Sequence, residues 1–181
     1  MGRDKATIVF HGRPLWQRQL QVLRDLGPEK IFVSARKTPS WLPLDTELLL
    51  DEPPFRGPLS GLTRALASIQ TSHLAVLAVD MPFMSSKQMQ VLWSLARRGC
   101  GVLPMIGERA EPLAAIFPQG ADSDSLVALA GDNFSLQRLS HGLVQGGKLR
   151  VFQVSQRETE LYRSVNEPGD LPGRALSQPP S

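Results

Sequence analysis

At 181 residues the chain suits one compact domain better than two, and 41% apolar with 20% charged residues gives a buried core and an ordinary water-facing surface. The formal charge of +3 comes from scattered Lys and Arg rather than a basic stripe, so no nucleic-acid partner is expected. Cys100 stands alone, which excludes an intrachain disulfide and a CxxC metal knuckle and suits a reducing compartment. No run approaches the ~20 apolar residues of a membrane span. No signal-peptide core follows Met1-Gly2-Arg3-Asp4-Lys5, so the expected location is the cytoplasm, off the membrane.

Ala6 to Phe10 predicts a short strand or extended segment, closed by the turn His11-Gly12-Arg13-Pro14, with Pro14 opening a helix. On that helix Trp16, Leu20, Leu23 and Leu26 form one apolar stripe, and Gly27-Pro28 ends it. Strands are expected at Lys30–Ala35 and Glu47–Leu50. The second runs into the loop Asp51–Pro58, and Leu59, Leu62, Leu66 and Ile69 then share a helical face. His73 to Val79 is apolar almost throughout, as in a strand covered on both faces. Ser85 caps a helix with a Met89, Leu92, Leu95, Ala96 stripe, closed by Gly99.

Cys100–Met105 is the next expected strand, paired with Pro112–Phe117 across Gly107-Glu108-Arg109. Arg109 and Glu111 are read as part of a solvated turn. One or two short helices fall between Ser123 and His141, a strand at Leu149–Val154, and a helical turn at Pro168–Leu171. The Pro-, Gly- and Ser-rich residues 172–181 are expected to be a disordered tail, which makes 1–171 the domain. Strands alternating with helices give an α/β fold with a mainly parallel sheet. Ligands in such folds gather beyond the carboxyl ends of strands, here the loops after Phe10, Leu50 and Val79.

Asp80 is the sharpest candidate, a carboxylate at the end of an apolar strand before Met81-Pro82-Phe83. Such a group suits a hard cation that also binds substrate phosphates. A capping or turn aspartate is the equally simple alternative. Asp51 holds the equivalent place after Glu47–Leu50, and the pair is more suggestive than either alone. In Gly57-Pro58-Leu59-Ser60-Gly61 a loop becomes a helix whose first N–H groups are open to an anionic or polar ligand. Lys5 could meet phosphate as a point charge, or be an ordinary surface lysine. Asn166 precedes a proline-opened turn, where an Asx-type cap explains it as well. The three histidines show no ligand spacing.

Taken in order, the segments Met1-Gly2-Arg3-Asp4-Lys5, Gly12-Arg13-Pro14-Leu15, Gly57-Pro58-Leu59-Ser60-Gly61, Asp80-Met81-Pro82-Phe83 and Asn166-Glu167-Pro168-Gly169-Asp170-Leu171 resemble the molybdenum cofactor guanylyltransferase family. The likeness runs from Met1 to about Leu171. It implies a Rossmann-like, three-layer nucleotidyltransferase fold and the transfer of GMP from GTP to the phosphate of molybdopterin, with release of pyrophosphate.

Under that resemblance Lys5 contacts the nucleotide phosphates and Asp80 holds Mg²⁺. Asp51 contributes to the nucleotide site, Gly57, Leu59 and Gly61 lie against the guanine, and Asn166 faces molybdopterin. Cofactor delivery proteins and molybdoenzyme chaperones are the implied protein partners. Ser164-Val165-Asn166-Glu167 stands where members usually carry two asparagines and a threonine.

The family's opening LAGGxSxR segment is absent, so the sheet is expected to lack its first, central strand. Met1 coincides with the internal methionine of the family's RMGxDK. The chain as written is therefore expected to be inactive and poorly stable until an in-frame upstream extension restores the strand and its glycine loop. The alternatives are a CTP-using molybdopterin cytidylyltransferase, a sugar-phosphate nucleotidyltransferase, or a catalytically silent binding module.

Overall fold

In the computed structural model, residues 4–53, 55–166 and 170 are described. Met1-Gly2-Arg3, Glu167 to Gly169, the remainder of the expected turn at Pro168–Leu171 apart from Asp170, and the tail 172–181 lie outside them.

The chain opens differently from the expected strand at Ala6–Phe10. The Asp4 carboxylate accepts the Ala6 N–H and starts a 3₁₀ turn over Lys5–Thr7. Only Val9–Phe10 (β1) is extended, and it pairs antiparallel with Arg13–Pro14 (β2) in a ribbon separate from the larger sheets. Pro14 is thus the residue before the first helix, Leu15–Arg24 (α1). Its buried residues are Leu15, Gln19, Leu20 and Val22, so of the expected stripe only Leu20 is buried, and Trp16 stacks on Trp41 at 5.2 Å.

Phe32–Ala35 (β3) and Glu47–Leu50 (β4) pair in parallel as a two-stranded sheet. Pro58–Ser68 (α2) follows, then His73–Leu77 (β5) and Ser86–Leu95 (α3), which Ser85 caps by accepting the Gln88 N–H. Gly101–Ile106 (β6) turns back into Arg109–Ala110 (β7), and Ala114–Pro118 (β8) leads to Asp122–Ala130 (α4) and Leu136–Gln145 (α5). Leu149–Gln153 (β9) closes the main sheet.

The main sheet has the order β5-β8-β6-β7, with β9 parallel to β6. β8 is antiparallel to both β5 and β6, so β5, β6 and β9 share a direction and the sheet is mixed. The strand after the β6 turn therefore does more than close a hairpin. β7 makes the hairpin with β6, while β8 lies against β5 over five residue pairs and meets β6 at Val102↔Ile116.

Alternation along these strands builds two cores, one on each face. Leu103, Ala115 and Phe117 face α2, α4 and α5 through Leu59, Leu66, Leu139 and Leu143. Val102, Ala114 and Ile116 face α1 and α3 through Val22, Met89 and Leu92. The result is three layers, helix–sheet–helix.

Among the described residues β3 pairs only with β4, and β5 only with β8, so the two sheets do not join edge to edge. α2 bridges them, packing on β3, β4 and β5.

Arg109 is solvated as expected, but Glu111 is not, since its side chain is only 12% exposed. Burial raises its pKa above the ordinary glutamate value, and Arg109, 3.6 Å away, offsets part of this. A raised pKa means that the folded protein holds the proton more tightly than the unfolded chain. The stability from Glu111 is therefore present below the ordinary glutamate range and lost as pH rises through the raised value. Denaturant unfolding at about pH 4 and about pH 7 should show Glu111→Gln gaining on the parent as pH rises; a constant difference would place the carboxylate in solvent.

Candidate active site

Three of the expected site residues come together through one chain of hydrogen bonds. Lys5 Nζ donates to Asn166 Oδ1 at 2.7 Å, joining the two ends of the domain across 161 residues. Val165, the neighbour of Asn166, is fully buried and donates its backbone N–H to the Asp80 carbonyl at 2.7 Å. Lys5 and Asn166 are thus tied to the backbone of Asp80, beyond the end of β5. Asn166 is held in turn, its N–H donating to Asp170 Oδ2 at 2.8 Å.

The loop carrying Asp80 is pinned through its backbone. The carbonyls of Asp80, Met81 and Pro82 accept from Val165 N–H, Gln19 Nε2 and Arg18 Nη2 respectively. The half-buried Asp80 carboxylate makes no hydrogen bond or ion pair with any described residue.

A second group forms at the start of α2. Ser34, on β3, donates to Asp51 Oδ1 at 3.0 Å. Gly61 packs so closely on this pair that a Cβ there would overlap the Ser34 hydroxyl and lie 3.5 Å from Asp51 Oδ1. Gly57 begins the helix at φ +65°, a left-handed value that suits glycine, and supplies no side-chain cap. Leu59, expected to lie against the base, is instead fully buried in the core, where its side chain packs beside Leu103 and Phe117. Arg56 is occupied elsewhere, on the Leu129 and Gly131 carbonyls and over the Phe134 ring.

The two groups share an end of the molecule. α2 starts beside Asp51 and its 11 residues run about 16 Å. β5 returns over five residues, about 17 Å, before the chain reaches Asp80. Both carboxylates therefore lie beyond the carboxyl ends of their strands on the same rim, where ligands of α/β folds gather.

Sequence reasoning did not single out Ser34, Asp4 or Val165. Ser34 had a faint signal, a lone hydroxyl near the end of an apolar strand. Asp4 aims Lys5 by capping its turn through one oxygen and accepting the Trp41 indole N–H at 2.9 Å through the other. Val165 acts through its backbone and carries no chemical signal at all.

Residues 1–146 match the family model described as the MobA-like NTP transferase domain. The chain belongs to that family. A protein of Opitutus terrae named "Probable molybdenum cofactor guanylyltransferase" is 35% identical over 173 residues, spanning 94% of this chain and 86% of its own. Among solved structures, the molybdopterin-guanine dinucleotide biosynthesis protein A of Archaeoglobus fulgidus superposes with a TM-score of 0.67 at 17% identity, covering 93% of this chain and 87% of its own. A nucleotidyl transferase of Methanothermobacter reaches 0.71 at 14% identity, covering 92% and 81%. At these identities the two structures share the fold of the MobA-like family member described here, a nucleotidyltransferase architecture.

Gly61→Ala tests the second group. The added methyl must push the Ser34 hydroxyl aside and free Asp51, while the backbone of α2 has no left-handed angle to strain. The stability cost should stay within about 1–3 kcal/mol, the usual range for overpacking, and nucleotide binding measured by calorimetry should weaken. Unchanged nucleotide affinity would remove Ser34, Asp51 and Gly61 from the site.

Proposed function

We propose that the protein transfers the GMP moiety of GTP to the terminal phosphate of molybdopterin and releases pyrophosphate, in the making of molybdopterin guanine dinucleotide. The observation that carries this reading is the joining of Lys5, Asn166 and Asp80 on one rim, opposite a helix start with no side-chain cap. The names of the matched relatives support the same choice of substrates. In the reaction an oxygen of the molybdopterin phosphate attacks the α-phosphorus of GTP in line, the bond from that phosphorus to the bridging oxygen breaks, and the electron pair leaves on pyrophosphate.

Catalysis of such a step is positioning and charge stabilisation, with no covalent nucleophile required. Lys5 places a fixed positive charge on the nucleotide phosphates, and its bond to Asn166 sets the direction of the ammonium. The backbone around Gly57 at the α2 start is offered to the guanine, while Gly61 lets Ser34 and Asp51 close onto the helix beside it. Asp51 holds Ser34 and borders the nucleotide. Asn166 faces the acceptor side.

The Asp80 carboxylate fits a divalent cation: it is a hard oxygen donor without a protein partner among the described residues. Among those residues no group of three or more His, Cys, Asp and Glu gathers, which suits Mg²⁺, an ion that takes most of its ligands from water and phosphate. Bound at Asp80, Mg²⁺ supplies neutralisation of the phosphate charge. A cytoplasmic location, delivery of molybdopterin by a carrier and hand-over to molybdoenzyme chaperones complete the proposal.

Two measurements test it. Calorimetric titration with Mg²⁺ should show tighter binding of GTP than of CTP or ATP, and a preference for CTP would move the activity to cytidylyl transfer. Asp80→Ala should leave thermal unfolding close to the parent's, because the structural bond at this position belongs to the backbone carbonyl, which alanine retains. Loss of about 4 kcal/mol of transition-state stabilisation should lower turnover about a thousandfold. Near-normal turnover in this variant would reduce Asp80 to a turn residue.

A further inference from the structure

On the α1–α3 side of the molecule, next to the loop carrying Asp80, lies a recess of about 300 Å³. Two guanidinium groups, Arg13 and Arg18, line it, and Val22, Met84 and the Phe83 ring form its apolar wall. Neither arginine has a salt bridge with any described residue. Arg18 spends one Nη2 donor on the Pro82 carbonyl at 3.2 Å and lies 5.0 Å from the centre of the Phe10 ring. Its Nε is buried without a hydrogen-bond partner. Burial, and then the charge of Arg13, disfavour its protonated form.

Two cations side by side with no anionic partner are unfavourable in the empty molecule, and an anion between them removes that cost. We propose that this recess binds an oxyanion of the phosphate class, held by Arg13 and Arg18, with the body of its ligand against Phe83. The volume exceeds that of a single tetrahedral oxyanion, and a planar apolar group fits the wall beside it. The site is distinct from the nucleotide site, since none of Lys5, Asp51, Asp80 and Asn166 lines it.

The charged neighbours set the sign of the one opposing effect. Asp25 does not line the recess but touches two residues that do, accepting from Gln21 Nε2 at 2.8 Å and from the Ser86 hydroxyl. Those hydrogen bonds hold its pKa low, so Asp25 is a fixed negative charge at the rim and opposes anion binding. Asp25→Asn should therefore tighten binding.

The test is titration of the full chain with inorganic phosphate, pyrophosphate and phenyl phosphate, followed by calorimetry and thermal shift. No nucleotide transfer enters the readout, so its outcome and that of the transferase reading are separable. Saturable binding is expected, tightest for phenyl phosphate, and an inorganic ion binding tightest would overturn the placing of the ligand's body against Phe83.

Arg13→Ala, at an exposed side chain that does not support the fold, should weaken binding about tenfold or more, the loss expected for one charge-assisted contact. Arg18→Lys checks the second cation without emptying its place. Lys5→Ala, and Arg98→Ala at the opposite end of β5, should leave affinity unchanged. Absence of saturable binding, indifference to Arg13→Ala, or loss of binding in Lys5→Ala would overturn the proposal, the last by assigning the anion to the nucleotide site.

Discussion

Everything at the functional rim depends on the packing of α2 across two sheets that share no hydrogen bonds among the described residues. Leu59, Leu62 and Leu66 bury one face of the helix in the core of the five-stranded sheet, beside Leu103, Ala115 and Phe117. Its amino-terminal turn is pressed onto Ser34 and Asp51 of the two-stranded sheet at Gly61. A helix fixed this way carries the β3–β4 pair as well as its own first N–H groups. Apolar burial at ~25 cal/mol per Å² is the force that holds it, so the start of α2 is placed by hydrophobic contacts.

α1 supplies the other attachment of the smaller sheet. Trp16 stacks on Trp41, and Arg24 forms a bidentate pair with Asp45, both partners lying in the connection between β3 and β4. The ion pair is exposed and contributes at most about 1 kcal/mol. The stack has a second consequence, because Trp41 also donates its indole N–H to Asp4. Lys5 is thereby aimed by a 3₁₀ turn whose capping carboxylate is itself held. The ammonium approaches Asn166 from a supported backbone rather than from a free terminus.

Most elements were legible because their signals are local. The Glu47–Leu50 strand, the Pro58 start of α2 and the Ser85 cap of α3 follow from period, proline position and hydroxyl chemistry, which act over a few residues. The opening was misread because a side chain four residues into the sequence competes with the strand. Asp4 captures the Ala6 N–H and spends in a turn the residues whose apolar pattern suggests β.

The pairing of β8 was half legible, since a hairpin turn can be seen in sequence, whereas the preference of Ala114–Pro118 for β5 is a contact across about forty residues. Asp80, Lys5 and Asn166 stood out as residue types at motif positions. Their meeting did not, because it runs through the N–H of Val165, and a backbone donor has no signature in the sequence. The exposure expected for Glu111 failed for the same reason, as what buries a turn residue is packing from elsewhere.

The loop after β5 shows how such long-range contacts become chemistry. Three successive carbonyls, those of Asp80, Met81 and Pro82, each accept a hydrogen bond from a different part of the chain. Val165 comes from the closing motif, and Gln19 and Arg18 come from α1. With its backbone committed in three directions the loop has little freedom to follow a ligand, and the Asp80 carboxylate, which no described residue engages, is the group left to respond to one. A charged group held ready on a fixed backbone would lose little to reorganisation on meeting the cation and phosphates proposed for it, which is how electrostatic stabilisation becomes effective. The same constraint ties the Arg13–Arg18 recess to this rim. Arg18, which lines that recess, is also the donor to the Pro82 carbonyl, two residues from Asp80.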